Sequence, residues 1–161
     1  MKLKQRLHNR IGALVLAAGF ALLCSGCILF HKGSSYRHIH EYAKAGDAAA
    51  VAQDLSDYPG DLNLPDDAGL TPLHLAALQC HTNVIALLLA KGADVNHEAK
   101  DDTTPLHAAA QEGCLDGVKM LLARGAKINA RDGQGRTALK RAELWRQNVV
   151  AEFLREHGGT E

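Results

Sequence analysis

No segment of this 161-residue chain carries a catalytic signature. There is no H-E-x-x-H pair, no glycine-framed serine elbow and no phosphate loop, and the carboxylates fall where turns and exposed helix faces are expected. An excess of positive charge is missing too: 18 lysine and arginine residues meet 18 aspartate and glutamate residues, so charge does not mark a nucleic-acid binder. Nine histidines are present. Yet no cysteine or carboxylate completes a ligand set around His31, His38 and His40 at familiar spacing, and a flexible polar linker accounts for those three. The expectation is a non-enzyme without metal or cofactor.

What the chain does have is a period. Thr71-Pro72-Leu73-His74 returns as Thr104-Pro105-Leu106-His107 and, degraded, as Thr137-Ala138-Leu139-Lys140, each 33 residues apart. Gly92, Gly125 and Gly158 keep the same interval, as do Asn96 and Asn129, Leu88, Leu121 and Leu154, and Ala76, Ala109 and Ala142. Such self-similarity means stacked units, none able to bury its apolar face alone. Within a unit, Thr71 suits a helix N-cap, Pro72 the first helical position, and Leu73, Ala76 and Ala77 an apolar stripe, predicting a short helix over 71–79. A second, more apolar helix starts near Asn83, carries Val84, Ile85, Leu87, Leu88 and Leu89, and stops at Gly92. The stretch from Ala93 to Asp102 has turn formers and no helical period, as expected of a projecting turn.

On these residues the chain resembles the ankyrin repeat family, whose unit reads G-x-TPLH-x-AA, a second helix, then G-A-D-V-N. Residues 69–96 match almost throughout, and the next unit matches through Thr104–Ala110, Gly113, Leu121-Leu122 and Gly125–Asn129, with Asp102 in place of the turn glycine. An amino-terminal capping unit shows in Ile39–Ala43 and Gly46-Asp47, with one extra residue around Tyr58-Pro59-Gly60 and no TPLH. The last unit has Ala138 for proline, Lys140 for histidine and several arginines outside, which suits a carboxy-terminal cap. The resemblance implies an all-α solenoid of four units, at about 37–67, 68–100, 101–133 and 134–161. It also implies that His74 and His107 make structural hydrogen bonds that steady the hairpin and the helix start.

The amino terminus has its own character. Lys2, Lys4, Arg6 and Arg10 precede Ile11–Leu23, an uncharged run of 13 residues, and together they read as an export signal. The run ends in Leu22-Leu23-Cys24-Ser25-Gly26-Cys27, similar to the lipobox of bacterial lipoproteins. That resemblance implies cleavage after residue 26, lipid on Cys27, and residues 27–36 as a tether. Ile28 at the second mature position resembles lipoproteins sent to an outer membrane, facing the periplasm. The competing reading is an uncleaved anchor over 11–30, diluted by glycine and cysteine. Either way the basic end stays inside and the repeats lie outside the cytoplasm.

Removing the signal takes away four bases, leaving 14 against 18 acids, a net charge near −4. The imbalance is concentrated in residues 37–103, with 11 acidic and four basic side chains. Two cysteines remain, Cys80 and Cys114. Exported thiols tend to pair, but units a helix diameter apart would hold these two beyond disulfide reach, so separate small thiols are the default expectation.

In the family, partners lie along a concave side made of hairpin tips and first helices. Position by position, that surface is Asp67, Ala68 and Leu70, then Leu78 and Gln79, Lys100, Asp101 and Thr103, Gln111 and Glu112, Gln134 and Arg136, and Leu144 with Trp145. Trp145, the sole tryptophan, is either an interface anchor or a lid on the end of the core. The function expected is a monomeric, membrane-tethered module that scaffolds or neutralises an unidentified envelope protein, with no nucleic acid involved. The alternatives are a structural envelope lipoprotein without a specific partner, and a metal- or redox-linked role through the histidines and Cys80 or Cys114.

Overall fold

A computed structural model describes residues 38–161, and over these the chain forms eight α-helices and no strand. They pair as α1 (His38–Ala45) with α2 (Ala48–Asp57), α3 (Pro72–Leu78) with α4 (Thr82–Ala90), α5 (Pro105–Gln111) with α6 (Leu115–Ala123), and α7 (Ala138–Leu144) with α8 (Asn148–Glu156). A 3₁₀ turn, Pro59–Asn63, takes up the extra residue of the first unit. The first helices stack directly on one another, and the second helices stack beside them. The all-α solenoid is as expected. Cys27 and the apolar run before it lie outside the described residues.

The motif explains each helix start. Thr71 and Thr104 sit at the N-cap in extended backbone, with proline next, where no N–H is needed. His74 Nδ1 accepts the Thr71 backbone N–H at 3.2 Å, which leaves the ring's other nitrogen, Nε2, to donate to the Thr103 carbonyl of the following unit at 3.0 Å. His107 does the same toward Thr104 and the Arg136 carbonyl. His40 follows a related pattern: it is buried in α1 and donates to the Leu64 carbonyl at 2.8 Å. It is no part of a polar linker, and with it His38 already belongs to the helix.

Leu88, Leu121 and Leu154 are fully buried at the repeated position, and Ile39, Leu73, Ile85, Leu106 and Leu139 fill the core around them. Burying each such side chain contributes roughly 1.5–3 kcal/mol. Asparagines stitch the loops: Asn63, Asn96 and Asn129 each accept a backbone N–H from the next unit, at Asp94, Lys127 and Thr160, all at 2.8 Å.

The expectation for the cysteines is overturned. Cys80 and Cys114 form a disulfide, with Cα atoms 5.3 Å apart. Helix-axis spacing does not govern the corners between helices. The residue after each corner leans onto the previous unit: His81 Nε2 donates to the Lys44 carbonyl at 3.0 Å, and Gln147 Nε2 donates to the Gln111 carbonyl at 3.2 Å. Cys114 stands midway between them in the 33-residue register and reaches the corner of its own predecessor, Cys80. Cys80 occupies a left-handed corner (φ 54°) that glycine fills at Gly46 and Gly113, so the bond is anchored at the turn between α3 and α4. Room for the sulfur comes from Gly117 in α6. A Cβ there would lie 2.9 Å from Cys114 Sγ, whereas the corresponding positions carry Val84 and Val150.

Candidate functional site

The hairpin tips form a continuous edge. Asp66 accepts the N–H groups of Ala68 and Leu70 on one carboxylate oxygen, closing the first tip. Lys100 N–H donates to the Ala68 carbonyl at 3.0 Å, and Gly133 N–H donates to the Asp101 carbonyl at 2.8 Å, so each tip is tied to the one before. Left-handed backbone is required at Gly69, Asp102 and Gly135, and aspartate is among the few residues other than glycine that adopt it readily, here with φ 57° at the middle tip.

Most of the residues expected at the surface are accessible. Asp67, Ala68, Gln79, Lys100, Asp101, Glu112, Gln134, Leu144 and Trp145 are exposed, and Leu70, Leu78, Gln111 and Arg136 are half-buried. Thr103 is the exception. It is buried, its carbonyl taken by His74 and its hydroxyl accepting from Arg141 at 2.8 Å, so it cannot touch a partner. Trp145 is 59% exposed and ends α7 rather than closing the core. Leu144 and Val149 are as open on either side of the same corner. Three of the four large exposed apolar side chains of the described residues thus fall within residues 144–149.

Two residues that the sequence pattern missed organise this face. Arg141 is buried, not outside, and its guanidinium holds the Asp132 carboxylate at 2.8 Å while also donating to Thr103 and Gln111. Arg136 donates to the same carboxylate oxygen at 2.9 Å, and the backbone N–H groups of Gln134 and Arg136 take the other. Burial alone would raise the Asp132 carboxyl, but these donors outweigh it and hold the group far below the usual carboxylate range. A signal existed: Arg141 stands where the preceding units have Leu75 and Ala108, and an arginine at an inward apolar position calls for a buried acid. Gln111 and Arg136, expected to face a partner, are thereby partly spent on the molecule itself.

A stack of helix pairs carrying an exposed row of first-helix ends and rigid hairpin tips is a recognition scaffold, whose units touch only their neighbours. A family model described as ankyrin repeats, in three copies, matches residues 39–132, and the chain belongs to the ankyrin repeat family. Domains of this family are generally protein–protein interaction modules. The fourth unit lies beyond the match, yet α7 and α8 repeat the same geometry.

Proposed function

We propose that this chain is an exported, lipid-anchored interaction module that holds a partner protein against its hairpin tips and first-helix ends, without catalysis. The observation that carries the recognition part is the exposed pair Leu144 and Trp145, which continue the row of Leu78, Gln79, Gln111 and Glu112. Tryptophan is the side chain most enriched among interface anchors. Export finds support in the disulfide. Such bonds persist in oxidising compartments, and the bond between Cys80 and Cys114 has room made for it by Gly117 at the cost of a helix glycine. The tether is assigned to Cys27, toward an outer membrane and the periplasm.

Two experiments test this reading. A photo-crosslinking amino acid placed at Gln79 should trap one partner in intact cells, and the same group placed at exposed Asn83, in the first turn of α4, should not. Equal trapping from both sites refutes the assigned face. Lipid labelling should mark the wild-type chain and leave Cys27→Ser unmarked; a labelled mutant moves the anchor elsewhere.

A further inference from the structure

Charge around the apolar anchor specifies what the anchor receives. Along this face, Asp67, Asp101, Asp102 and Glu112 are exposed, and Lys100 is the one base among the tips of the second and third units. The bases of the last unit's hairpin side are engaged within the molecule. Arg136 and Arg141 hold Asp132, Lys140 faces Glu143 and Glu161, and Arg131 donates to the carbonyls of Gly135 and Glu161. Arg146 is exposed at the same corner as Trp145 and is the one base beside the apolar end. The face is therefore apolar at one end and anionic over the next two units.

We propose that the partner binds here as an extended, cationic polypeptide segment. An apolar side chain would seat on Leu144 and Trp145, with lysine or arginine side chains at intervals of three residues running back toward Asp67. The interval follows from the spacing of the units. Packed helix axes lie roughly 8–10 Å apart, and an extended chain rises about 3.3 Å per residue, so one unit corresponds to about three residues of ligand. The first cation then falls between Glu112 and Asp102, at the two ends of α5, with Asp101 already facing Arg141 at 3.9 Å, and the second meets Asp67. The hairpin tips, tied to one another through Lys100 and Gly133, keep that spacing fixed. This inference rests on the face assigned under Proposed function and adds the chemistry of the occupant.

The test uses three labelled nine-residue peptides of serine and glycine. One carries a leucine followed by lysines three and six positions on. The second has the same composition with the lysines adjacent, and the third has glutamates for lysines. Each is titrated into the full-length protein in detergent, read by peptide anisotropy and by Trp145 emission. The registered peptide should bind about tenfold tighter than either control at low salt, and weaken by about the same factor in 0.5 M salt. The combined variant Asp67→Asn, Asp102→Asn, Glu112→Gln should also lose about tenfold. Its fold should be intact, because asparagine suits the left-handed tip at position 102. Equal binding of the three peptides, no binding of the registered one, or an unaffected triple variant overturns the proposal. If the peptide fails while position 79 still crosslinks selectively, the cationic occupant is wrong and the face stands. If crosslinking also loses its selectivity, the face itself is wrong.

Discussion

The disulfide and Gly117 were fitted to each other, and a double-mutant cycle can show it. A glycine inside α6 costs about 0.5–1 kcal/mol relative to alanine, so Gly117→Ala would ordinarily stabilise the protein by that amount. Here the new methyl would stand 2.9 Å from Cys114 Sγ and 3.2 Å from Ile85 Cδ1. The isoleucine methyl can yield by a few tenths of an ångström; the sulfur, bonded to Cys80, cannot. Overpacking of this kind costs about 1–3 kcal/mol, so the net expectation in the oxidised protein is a loss of about 1 kcal/mol. In the background Cys80→Gly, Cys114→Ala the sulfur is gone and the corner regains the residue found at Gly46 and Gly113. There Gly117→Ala should stabilise by about 0.5–1 kcal/mol, reversing sign. Guanidinium unfolding of the four proteins under non-reducing conditions measures the coupling. If Gly117→Ala has the same sign and size in both backgrounds, the glycine has nothing to do with the disulfide.

Truncating Leu88 or Leu121 to alanine, both fully buried, should cost about 2–5 kcal/mol and erode cooperative unfolding, as read by denaturant titration. Burial lowers the pKa of His74 from 6.5 to about 4, partly countered by its bond to the Thr103 carbonyl. The neutral ring is the folded form, so its contribution is complete above pH 6.5 and is lost as pH falls toward 4, by about 3 kcal/mol. His107, lowered in the same direction, adds to it, and unfolding curves between pH 7.5 and 4.5 should show the decline, flattened in His74→Ala. Asp132→Ala leaves Arg141 buried without its carboxylate and should cost about 3–5 kcal/mol, whereas Asp67→Ala on the exposed tip should change stability little. Acrylamide should quench Trp145 readily in the free protein; strong protection would mean the indole is covered and unavailable to a partner.

The period of 33 carried nearly all of the fold, because units that are copies of one another must place copied residues alike. Helix α3 at Pro72–Leu78 and α4 at Thr82–Ala90 fall where the Thr-Pro pair and Gly92 predict. The histidine bonds, implied by the family resemblance, follow at once. What the pattern hid lies where copies differ. Cys80 takes a glycine corner, Cys114 takes the place of His81 and Gln147, and Gly117 takes the place of two valines. Read one at a time these are exceptions to a repeat, and only their distances show that the three are one arrangement. Arg141 is similar: a charge at an inward position is legible as an anomaly, but its partner Asp132 is nine residues back in the preceding hairpin. Thr103 misled because its position is a surface one in the family, while in this chain Arg141 covers it.

At the corners between the helices the three joints of the stack are fastened unequally, by a histidine, by a covalent bond and by a glutamine. Closing a loop across 34 residues removes roughly 3–4 kcal/mol of unfolded-chain entropy on a chain-entropy account, and all of it is credited to the second and third units. In a nearest-neighbour array, opening then starts at the ends. The middle pair behaves as a kernel, and the outer units behave as leaves that can peel from it and settle back. Trp145 and its neighbours sit on one such leaf and the acidic tips at Asp67, Asp101 and Asp102 on the kernel, so a partner taken up on the proposed face would be gripped at one end by a unit that can adjust and at the other by the pair that the disulfide ties.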